Sequence, residues 1–156
     1  MADDLGGQGQ RRGSDLPALA AFPLRATDKL RYGDTDRQGH VNNAVYSTFL
    51  ETGRVELLSS VAGGLAEPGA AFVIARLELD FLAEGLWPGV VEIGTAIETV
   101  GRSSFTLEQV VCQDGRVLAR ARSVVVQMNE QTRRSQPLGE DAVARLKSYI
   151  RPAATE

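Results

Sequence analysis

Residues 43–61 read NAVYSTFLETGRVELLSSV, and this stretch decides the fold. Its apolar and small residues recur at helical spacing, which predicts a helix of about five turns. They are Tyr46, Phe49, Leu50, Gly53, Leu57, Leu58 and Val61. Charged residues are sparse here, so we expect the helix to be enclosed by other elements. Asn42 and Asn43 are suitable N-cap residues, and Gly63-Gly64 predicts the end of the helix.

Downstream of this helix the periodicity changes from 3.6 residues to 2, which is the pattern of β-strands. The first predicted strand spans 72–82, and its alternation predicts one buried face. That face consists of Val73, Ala75, Leu77, Leu79 and Phe81. Further strands are predicted at 91–99, 104–113 and 116–128, with a hairpin at Asp114-Gly115 between the last two.

Upstream, a short strand is predicted over 22–32, and a short amphipathic helix with Val143, Leu146 and Ile150 on one side closes the chain. The element order predicts an α+β fold, in which an antiparallel sheet of about five strands wraps around one long central helix. One helix covers only part of such a sheet. The remaining sheet surface and the edge strands therefore favour dimerisation.

The composition predicts an ordinary globular protein. The 156 residues suit a single domain, predicted at 21–150, after a polar and glycine-rich stretch, 1–20, that predicts a disordered N-terminal tail. The net charge of −3 argues against a nucleic-acid partner. No segment has the length of a membrane helix and the first residues do not resemble a signal peptide, so we expect a cytoplasmic protein without a membrane partner.

The chain has one cysteine and one histidine. A single cysteine cannot form an internal disulfide, and a lone Cys-His pair cannot make a structural zinc site. Cys112 lies in an apolar run and is predicted to pack in the core; it would be a nucleophile only if it reached His40. We therefore expect no metal site and no cofactor.

Residues 31–46 read RYGDTDRQGHVNNAVY and carry the candidate chemistry. Six polar residues precede the predicted helix, namely Asp34, Asp36, Gln38, His40, Asn42 and Asn43. Amides at a helix N-terminus are free to donate, so a thioester carbonyl turned toward them would have its developing oxyanion stabilised. A nearby carboxylate could attack that carbonyl or activate a water. By composition alone the same residues also suit caps and turns.

The segment 34–46, followed by Glu51 and Arg54, resembles the signature of 4-hydroxybenzoyl-CoA thioesterase-like hot-dog proteins. Its loop also resembles that of acyl-ACP thioesterases. The resemblance implies a hot-dog fold and an acyl-CoA thioesterase, which hydrolyses an acyl thioester to a free acid and a thiol. It implies acyl-CoA or acyl-ACP as substrate, of which the net charge favours acyl-CoA. The oligomer is expected to be a homodimer or a homotetramer.

The resemblance also implies roles for residues of the loop. Asp36 matches the carboxylate that acts as nucleophile or general base, and Asn43 matches the position whose backbone amide holds the thioester oxygen. His40 matches the histidine of the acyl-ACP branch, and Gln38 stands where that branch has Asn. Asp34 is interpreted as a residue that structures the loop.

Short basic turns are the candidates for contacts with the nucleotide end of CoA. Arg102 and Ser103 lie in the turn between two predicted strands and resemble a segment that the family places near the pantetheine or the phosphates. Arg133 and Arg134, just past the last strand, are the second candidate.

Two other functions compete with hydrolysis. The first is a hot-dog dehydratase or hydratase, because Gly39-His40 followed by Glu51 faintly resembles its histidine and carboxylate, although the spacing is too short. Glu51 is instead expected to be buried and paired with Arg54 at i+3. The second is a non-catalytic hot-dog domain that binds acyl-CoA, against which the presence of both Asp36 and His40 argues.

Overall fold

The computed structural model describes residues 19–152. In chain order the elements are β1 (Leu24–Lys29), α1 (Val45–Leu58), β2 (Ala70–Phe81), β3 (Val90–Val100), β4 (Ser104–Gln113), β5 (Arg116–Asn129) and α2 (Glu140–Lys147). Short 3₁₀ turns span Leu19–Ala21 and Tyr32–Asp34. The predicted tail, 1–20, lies outside the described residues except for its last two positions, which belong to the first of these turns. Within 19–152, no helix is long and apolar enough to cross a membrane.

The five strands form one antiparallel sheet in the order β1-β3-β4-β5-β2. Helix α1 packs mainly against β1, β3 and β4. Strand β2 is an edge strand that is joined to the sheet through β5. This confirms the predicted α+β layout, in which an antiparallel sheet wraps around one long helix.

Helix α1 approaches the sheet closely at Gly53. A Cβ atom at this position would lie 2.7 Å from Nε2 of Gln109 and 2.9 Å from Oγ1 of Thr95. Gln109 is fully buried, and its Nε2 donates to the carbonyl oxygen of Leu50 in the helix and to Oγ1 of Thr95, both at 3.0 Å. Because a buried donor without a partner is costly, these two hydrogen bonds of Nε2 tie the helix to the sheet.

The boundaries of α1 differ from the prediction. The helix begins at Val45, its N-cap position is Ala44, and no side chain caps it. Asn42 instead forms a turn before the helix, in which its Oδ1 accepts from the amide of Ala44 at 3.0 Å. The helix ends at Leu58, so Val61 lies beyond it. Local hydrogen bonding of the turn thus delays the start of the helix.

Strand β2 contains a bulge that the alternation did not predict. Its register with β5 shifts between Ile74 and Arg76, so Ala75 is the extra residue. A bulge moves the following side chains to the other face, and Val73 and Leu77 therefore lie on opposite faces. The residues that pair with the buried side of β5 are Phe72, Ile74, Leu77, Leu79 and Phe81. The prediction that Val73 and Ala75 share the face of Leu77 is wrong.

Helix α2 packs near the C-terminal end of α1. Ala142 and Leu146 of α2 pack into a core cluster with Leu57 of α1. Ile150 follows α2, is 44% exposed and forms a parallel bridge with Ile97, so it does not extend the apolar face of that helix. The N-terminal end of α1 and the loop before it therefore lie at the other end of the core.

Candidate active site

The loop between β1 and α1 is held by an ion pair. Asp34 is only 3% exposed, and its carboxylate accepts from Nη2 of Arg31 at Oδ1 and from the Arg31 backbone amide at Oδ2, each at 2.8 Å. Hydrogen bonding to Arg31 lowers the pKa of Asp34, and burial opposes this shift only in part. The Arg31 side chain itself is exposed. This is the geometry of a carboxylate that organises the loop, and Asp34 does not line the cleft described below.

Asp36 has a different environment, because it is exposed at the turn of the same loop. Its Oδ1 accepts from the backbone amides of Gln38 at 2.8 Å and of His40 at 3.2 Å. The turn between them passes through Gly39, whose φ of +80° is a conformation that glycine adopts without strain. Among the described residues, Oδ2 of Asp36 accepts no hydrogen bond. One oxygen thus shapes the turn and the other is left for a substrate or a water.

A cleft of about 380 Å³ lies beside this loop. It is lined by four residues that the sequence predicted to act together, namely Asp36, Gln38, His40 and Asn43. The rest of its wall comes from the start of α1 and the segment after β2, through Val41, Tyr46, Phe81, Leu82, Ala83 and Glu84. The fold thus brings a carboxylate, an imidazole and the start of a helix to one cavity.

Asn43 lies in the turn that leads into α1. Among the described residues its backbone amide donates no hydrogen bond, whereas the amides of Ala44 and Val45 both donate to Asn42. The turn precedes the N-terminus of a 14-residue helix, where the helix dipole favours negative charge. An unpaired amide at this place is suited to stabilise an oxyanion.

The structure adds Glu84, which sequence reasoning missed. Its Oε2 lies 3.1 Å from Nε2 of His40. The segment that carries it runs antiparallel to the loop, because His40 forms a backbone bridge with Leu86 and the amide of Val41 donates to the carbonyl oxygen of Gly85 at 2.9 Å. Glu84 lies in a connection between two strands and follows no periodic pattern, so no signal in the sequence points to it.

The apolar wall of the cleft is built from aromatic side chains. Tyr46 is 2% exposed, and its ring meets that of Phe81 edge to face with centroids 5.5 Å apart. Burial raises the pKa of Tyr46, so its hydroxyl stays neutral. A Cβ on Gly85 would lie 3.2 Å from the hydroxyl oxygen of Tyr46 and 2.9 Å from Cγ2 of Val41. The backbone at Gly85 therefore forms this side of the cleft, and the position has no space for a larger side chain.

Within one protomer, the four residues that are predicted to contact the nucleotide lie far from this cleft. They are Arg102, Ser103, Arg133 and Arg134. The first two follow the end of β3 and the others follow the end of β5, whereas the cleft borders the connection that leads into the start of β3. Strand β3 has 11 residues, which corresponds to roughly 35 Å along the strand. The structure brings none of the four to the cleft, and their contact with a substrate stays a prediction.

Arg54 corrects the expectation of a buried Glu51–Arg54 pair. Arg54 is 9% exposed, and its buried Nη1 has no hydrogen-bond partner among the described residues. Burial lowers the pKa of Arg54, and the charge of Glu51 opposes this shift only in part. Glu51 is exposed, and within 19–152 it forms no ion pair with Arg54. Both residues line a groove of about 350 Å³ between α1 and β2, together with Ile74 and Leu77. The guanidinium thus faces a groove that the described residues leave open.

Cys112 does not take part in the cleft. It is buried with Phe22 and Ala96 in a separate cluster, as its apolar surroundings predicted, and burial raises the pKa of its thiol. In the part of the chain that the structure describes, no group of three or more His, Cys, Asp or Glu side chains is arranged to hold a metal ion.

Comparison with known proteins gives the family. Residues 30–146 match the Thioesterase-like superfamily. Among solved structures, the chain is similar to a predicted thioesterase from Bacillus stearothermophilus, with 30% identity and a TM-score of 0.76 over 83% of this chain and 98% of that chain. It is also similar to a thioesterase from Thermus thermophilus that is complexed with coenzyme A and Zn, with 32% identity and a TM-score of 0.73 over 85% of this chain and 98% of that chain.

The protein PA5185 from Pseudomonas aeruginosa shares the fold, with 22% identity and a TM-score of 0.79 over 88% of this chain and 98% of that chain. No curated protein matches the sequence. The superfamily match covers the loop, α1 and all strands from β2 to β5, so it includes every residue of the cleft. This chain therefore belongs to the thioesterase-like superfamily and is a thioester hydrolase with the hot-dog fold.

Proposed function

We propose that this thioester hydrolase acts on an acyl-CoA, with Asp36 as nucleophile or general base, and that residues 21–150 form its functional domain. The proposal rests on one observation, namely that Asp36 and the turn before α1 line the same cleft. The similar thioesterase from Thermus thermophilus is complexed with coenzyme A. The net charge of −3 gives little attraction for an acidic carrier protein, which favours CoA over acyl-ACP.

In the proposed reaction the thioester carbonyl oxygen accepts from the Asn43 amide. Charge grows on this oxygen as the carbonyl is attacked, and one such donor contributes about 3 kcal/mol to the stability of the transition state. In the general-base route, Asp36 takes a proton from water while the water oxygen bonds to the acyl carbon. The carbon–sulfur bond then breaks, and the thiolate receives that proton.

In the nucleophilic route, Oδ2 of Asp36 bonds to the acyl carbon and the thiolate leaves. Water then attacks the resulting anhydride and releases the acid. The free Oδ2 supports both routes, since Oδ1 already accepts two backbone amides. His40 and Gln38 line the same cleft and orient the substrate or the water in this scheme.

We further propose that the active form is a homo-oligomer. Strand β2 has 12 residues and stands at the edge of the sheet, so one side of its backbone is unpaired within the described residues. Beside it lies the groove lined by Arg54, whose buried Nη1 has no partner in the part of the chain that the structure describes. A second copy related by a two-fold axis would pair its own β2 antiparallel to this edge.

Pairing of the two β2 strands would also change which surfaces the basic turns can contact. Antiparallel pairing places the far end of one sheet beside the cleft end of the other. Arg133 and Arg134 follow β5 next to the start of β2, because the amide of Asn129 donates to the carbonyl oxygen of Arg134 at 2.8 Å. They would thereby approach the cleft of the second copy and could bind CoA phosphates there. Arg102 and Ser103 lie further from this edge.

A panel of acyl-CoA thioesters tests the function directly. We expect release of free CoA thiol, followed with a thiol reagent, from at least one acyl-CoA, and loss of most of this release in Asp36→Asn. Crotonyl-CoA in the same panel detects a hydratase, which would add water to the double bond without releasing thiol. Binding of acyl-CoAs without turnover of any acyl-CoA or acyl-ACP would instead support a non-catalytic domain.

A further inference from the structure

We propose that Glu84 is a positioning residue for His40. In this proposal Nε2–H of the imidazole donates to the Glu84 carboxylate, and Nδ1 is thereby left as a proton acceptor for water in the cleft. The inference rests on the proposed function of the cleft. It goes beyond that function by naming the nitrogen that takes the proton and the side chain that selects it.

Backbone hydrogen bonds hold both the loop that carries His40 and the segment that carries Glu84. His40 bridges Leu86, and the amide of Val41 donates to Gly85. From the opposite side, Nη2 of Arg116 donates to the carbonyl oxygen of Glu84 at 2.7 Å. The two backbones are therefore held in register, and the 3.1 Å contact between the side chains follows from that register.

The chemistry of the two groups then decides the tautomer of His40. An ionised carboxylate only accepts hydrogen bonds, so for Nε2 to hydrogen-bond to the carboxylate across this 3.1 Å contact, Nε2 must carry the hydrogen. In the neutral ring the other nitrogen then has the free electron pair. Among the described residues, Nδ1 of His40 makes no hydrogen bond, and 27% of the side chain is exposed. His40 lines the cleft, so a water molecule in the cleft can reach its ring.

The reaction needs such an acceptor if Asp36 is the nucleophile. In the second step, the oxygen of a water bonds to the acyl carbon, one water proton passes to Nδ1, and the bond between the acyl carbon and Asp36 breaks with its electron pair returning to the carboxylate. The other polar groups of the predicted set, in Gln38 and Asn43, are amides and do not take protons. This assigns nucleophile, base and positioning residue to Asp36, His40 and Glu84.

An exposed ion pair alone contributes little to stability, and 69% of the Glu84 side chain is exposed. The expected effect is therefore on the imidazole and on turnover, while the fold is unchanged. Glu84→Ala should lower kcat about tenfold, which is part of the 10²- to 10⁴-fold that a general base contributes. KM should stay within about twofold, and Glu84→Gln, which keeps an acceptor oxygen, should retain most of kcat.

A double-mutant cycle separates this role from a general structural one. In the His40→Ala background, Glu84→Ala should have no further effect on kcat, because the residue acts only through the imidazole. Glu130→Ala, at an exposed glutamate after β5, is the control and should leave kcat unchanged. Losses that add independently, or a wild-type kcat in Glu84→Ala, would overturn the proposal.

A spectroscopic readout is independent of turnover. His40 is the only histidine of the 156 residues, so selective ¹⁵N-histidine labelling of protein without a histidine tag gives the signals of one imidazole. We expect ¹⁵N chemical shifts of a protonated Nε2 and an unprotonated Nδ1 in the wild type, and shifts of a mixture of tautomers in Glu84→Ala. Identical spectra would overturn the proposal. If the spectrum changes in Glu84→Ala but the wild type hydrolyses no thioester, the contact is supported and the proposed function is rejected.

Discussion

At the scale of single residues, two aspartates two positions apart have opposite surroundings. Asp34 is buried and bound to Arg31, whereas Asp36 is exposed, shapes its turn through one oxygen and keeps the other unpaired. A hydrogen-bonded, buried carboxylate is held in one place and withdrawn from solvent, while an exposed one can meet a substrate. The environment, and not the residue type, separates a structural role from the proposed chemical one.

The first prediction concerns Asp36→Asn. We expect turnover of acyl-CoA to fall by about 100-fold or more, because an amide neither attacks the carbonyl nor takes a proton. The melting temperature and substrate binding should persist, since the Asn oxygen can still accept from the amides of Gln38 and His40. Thiol release and thermal melting measure both quantities, with His40→Ala expected to lose less activity.

Near-wild-type turnover by Asp36→Asn would contradict the assignment of the carboxylate. A larger loss in His40→Ala than in Asp36→Asn would instead favour a mechanism of the acyl-ACP thioesterase type, centred on the histidine.

The second prediction concerns Asp34→Asn, which should mainly affect stability. The pKa of Asp34 in the folded protein lies below its ordinary value of 3.8. The stabilisation is therefore fully present well above that value and is lost as the pH falls through the folded pKa. At pH 7 the substitution should reduce the free energy of unfolding by about 1–2 kcal/mol, toward the low end for hydrogen bonds to a charged group because the Arg31 side chain is exposed.

Urea denaturation at pH 7 and at acid pH measures this effect. Asp114→Asn is a suitable control, because Asp114 is exposed in a turn with a φ of 50°, a conformation that Asn tolerates. We expect the difference between wild type and Asp34→Asn to shrink in acid. A constant difference across this range would show that the ion pair with Arg31 is not its source.

At the scale of elements, the contact between α1 and the sheet depends on the absence of a side chain at Gly53. Helical periodicity places Gly53 on the buried face, but it does not tell how near the sheet lies. Only the packed structure shows that Gln109, Thr95 and Ile93 come within 3 Å of where a Cβ would stand. The third prediction follows from this contact.

Gly53→Ala should lower the free energy of unfolding by about 1–2 kcal/mol. Overpacking of a well-filled core costs about 1–3 kcal/mol, which exceeds the gain of up to about 1 kcal/mol in helix propensity. Gly33→Ala is the matched control, because nothing lies within 4 Å of a Cβ there, and it should change stability by less than about 0.5 kcal/mol. Equal stability of the two variants in urea denaturation would contradict the close packing.

The connection from β2 to β3 shows why Glu84 could not be foreseen. These strands are consecutive in the chain, but β5 and β4 separate them in the sheet. The connection must therefore cross the end of the sheet, and it passes beside the loop that holds His40. Strand alternation predicts neighbours along a strand, whereas the order of strands depends on the whole sheet.

At the scale of the whole molecule, the open side is the groove between α1 and β2. It combines a strand edge and a buried Arg54 Nη1 that are both unpaired within residues 19–152, and an apolar residue that is 47% exposed, Ile74. A buried donor without an acceptor is costly. This supports a second copy of the chain as the occupant of the groove.

The fourth prediction is that Ile74→Lys shifts the protein toward the monomer. A lysine there would place a charge in the proposed interface and next to Arg54. Ile150→Lys is the matched control, because Ile150 is 44% exposed but lies beside β3, and it should not change assembly. Sedimentation velocity of wild type and both variants measures the state. A monomeric wild type, or equal behaviour of the two variants, would argue against this interface.

The sequence by itself determined the features that arise from residues near each other in the chain. Helical and strand periodicity predicted α1 and the four strands after it, and one short loop carried Asp36, Gln38 and His40 to the start of a helix. Only the tertiary structure decided the bulge at Ala75, the contact of Glu84 with His40, and the distance of the basic turns from the cleft. These features depend on strand order and on contacts between distant segments, and local patterns contain no information about either.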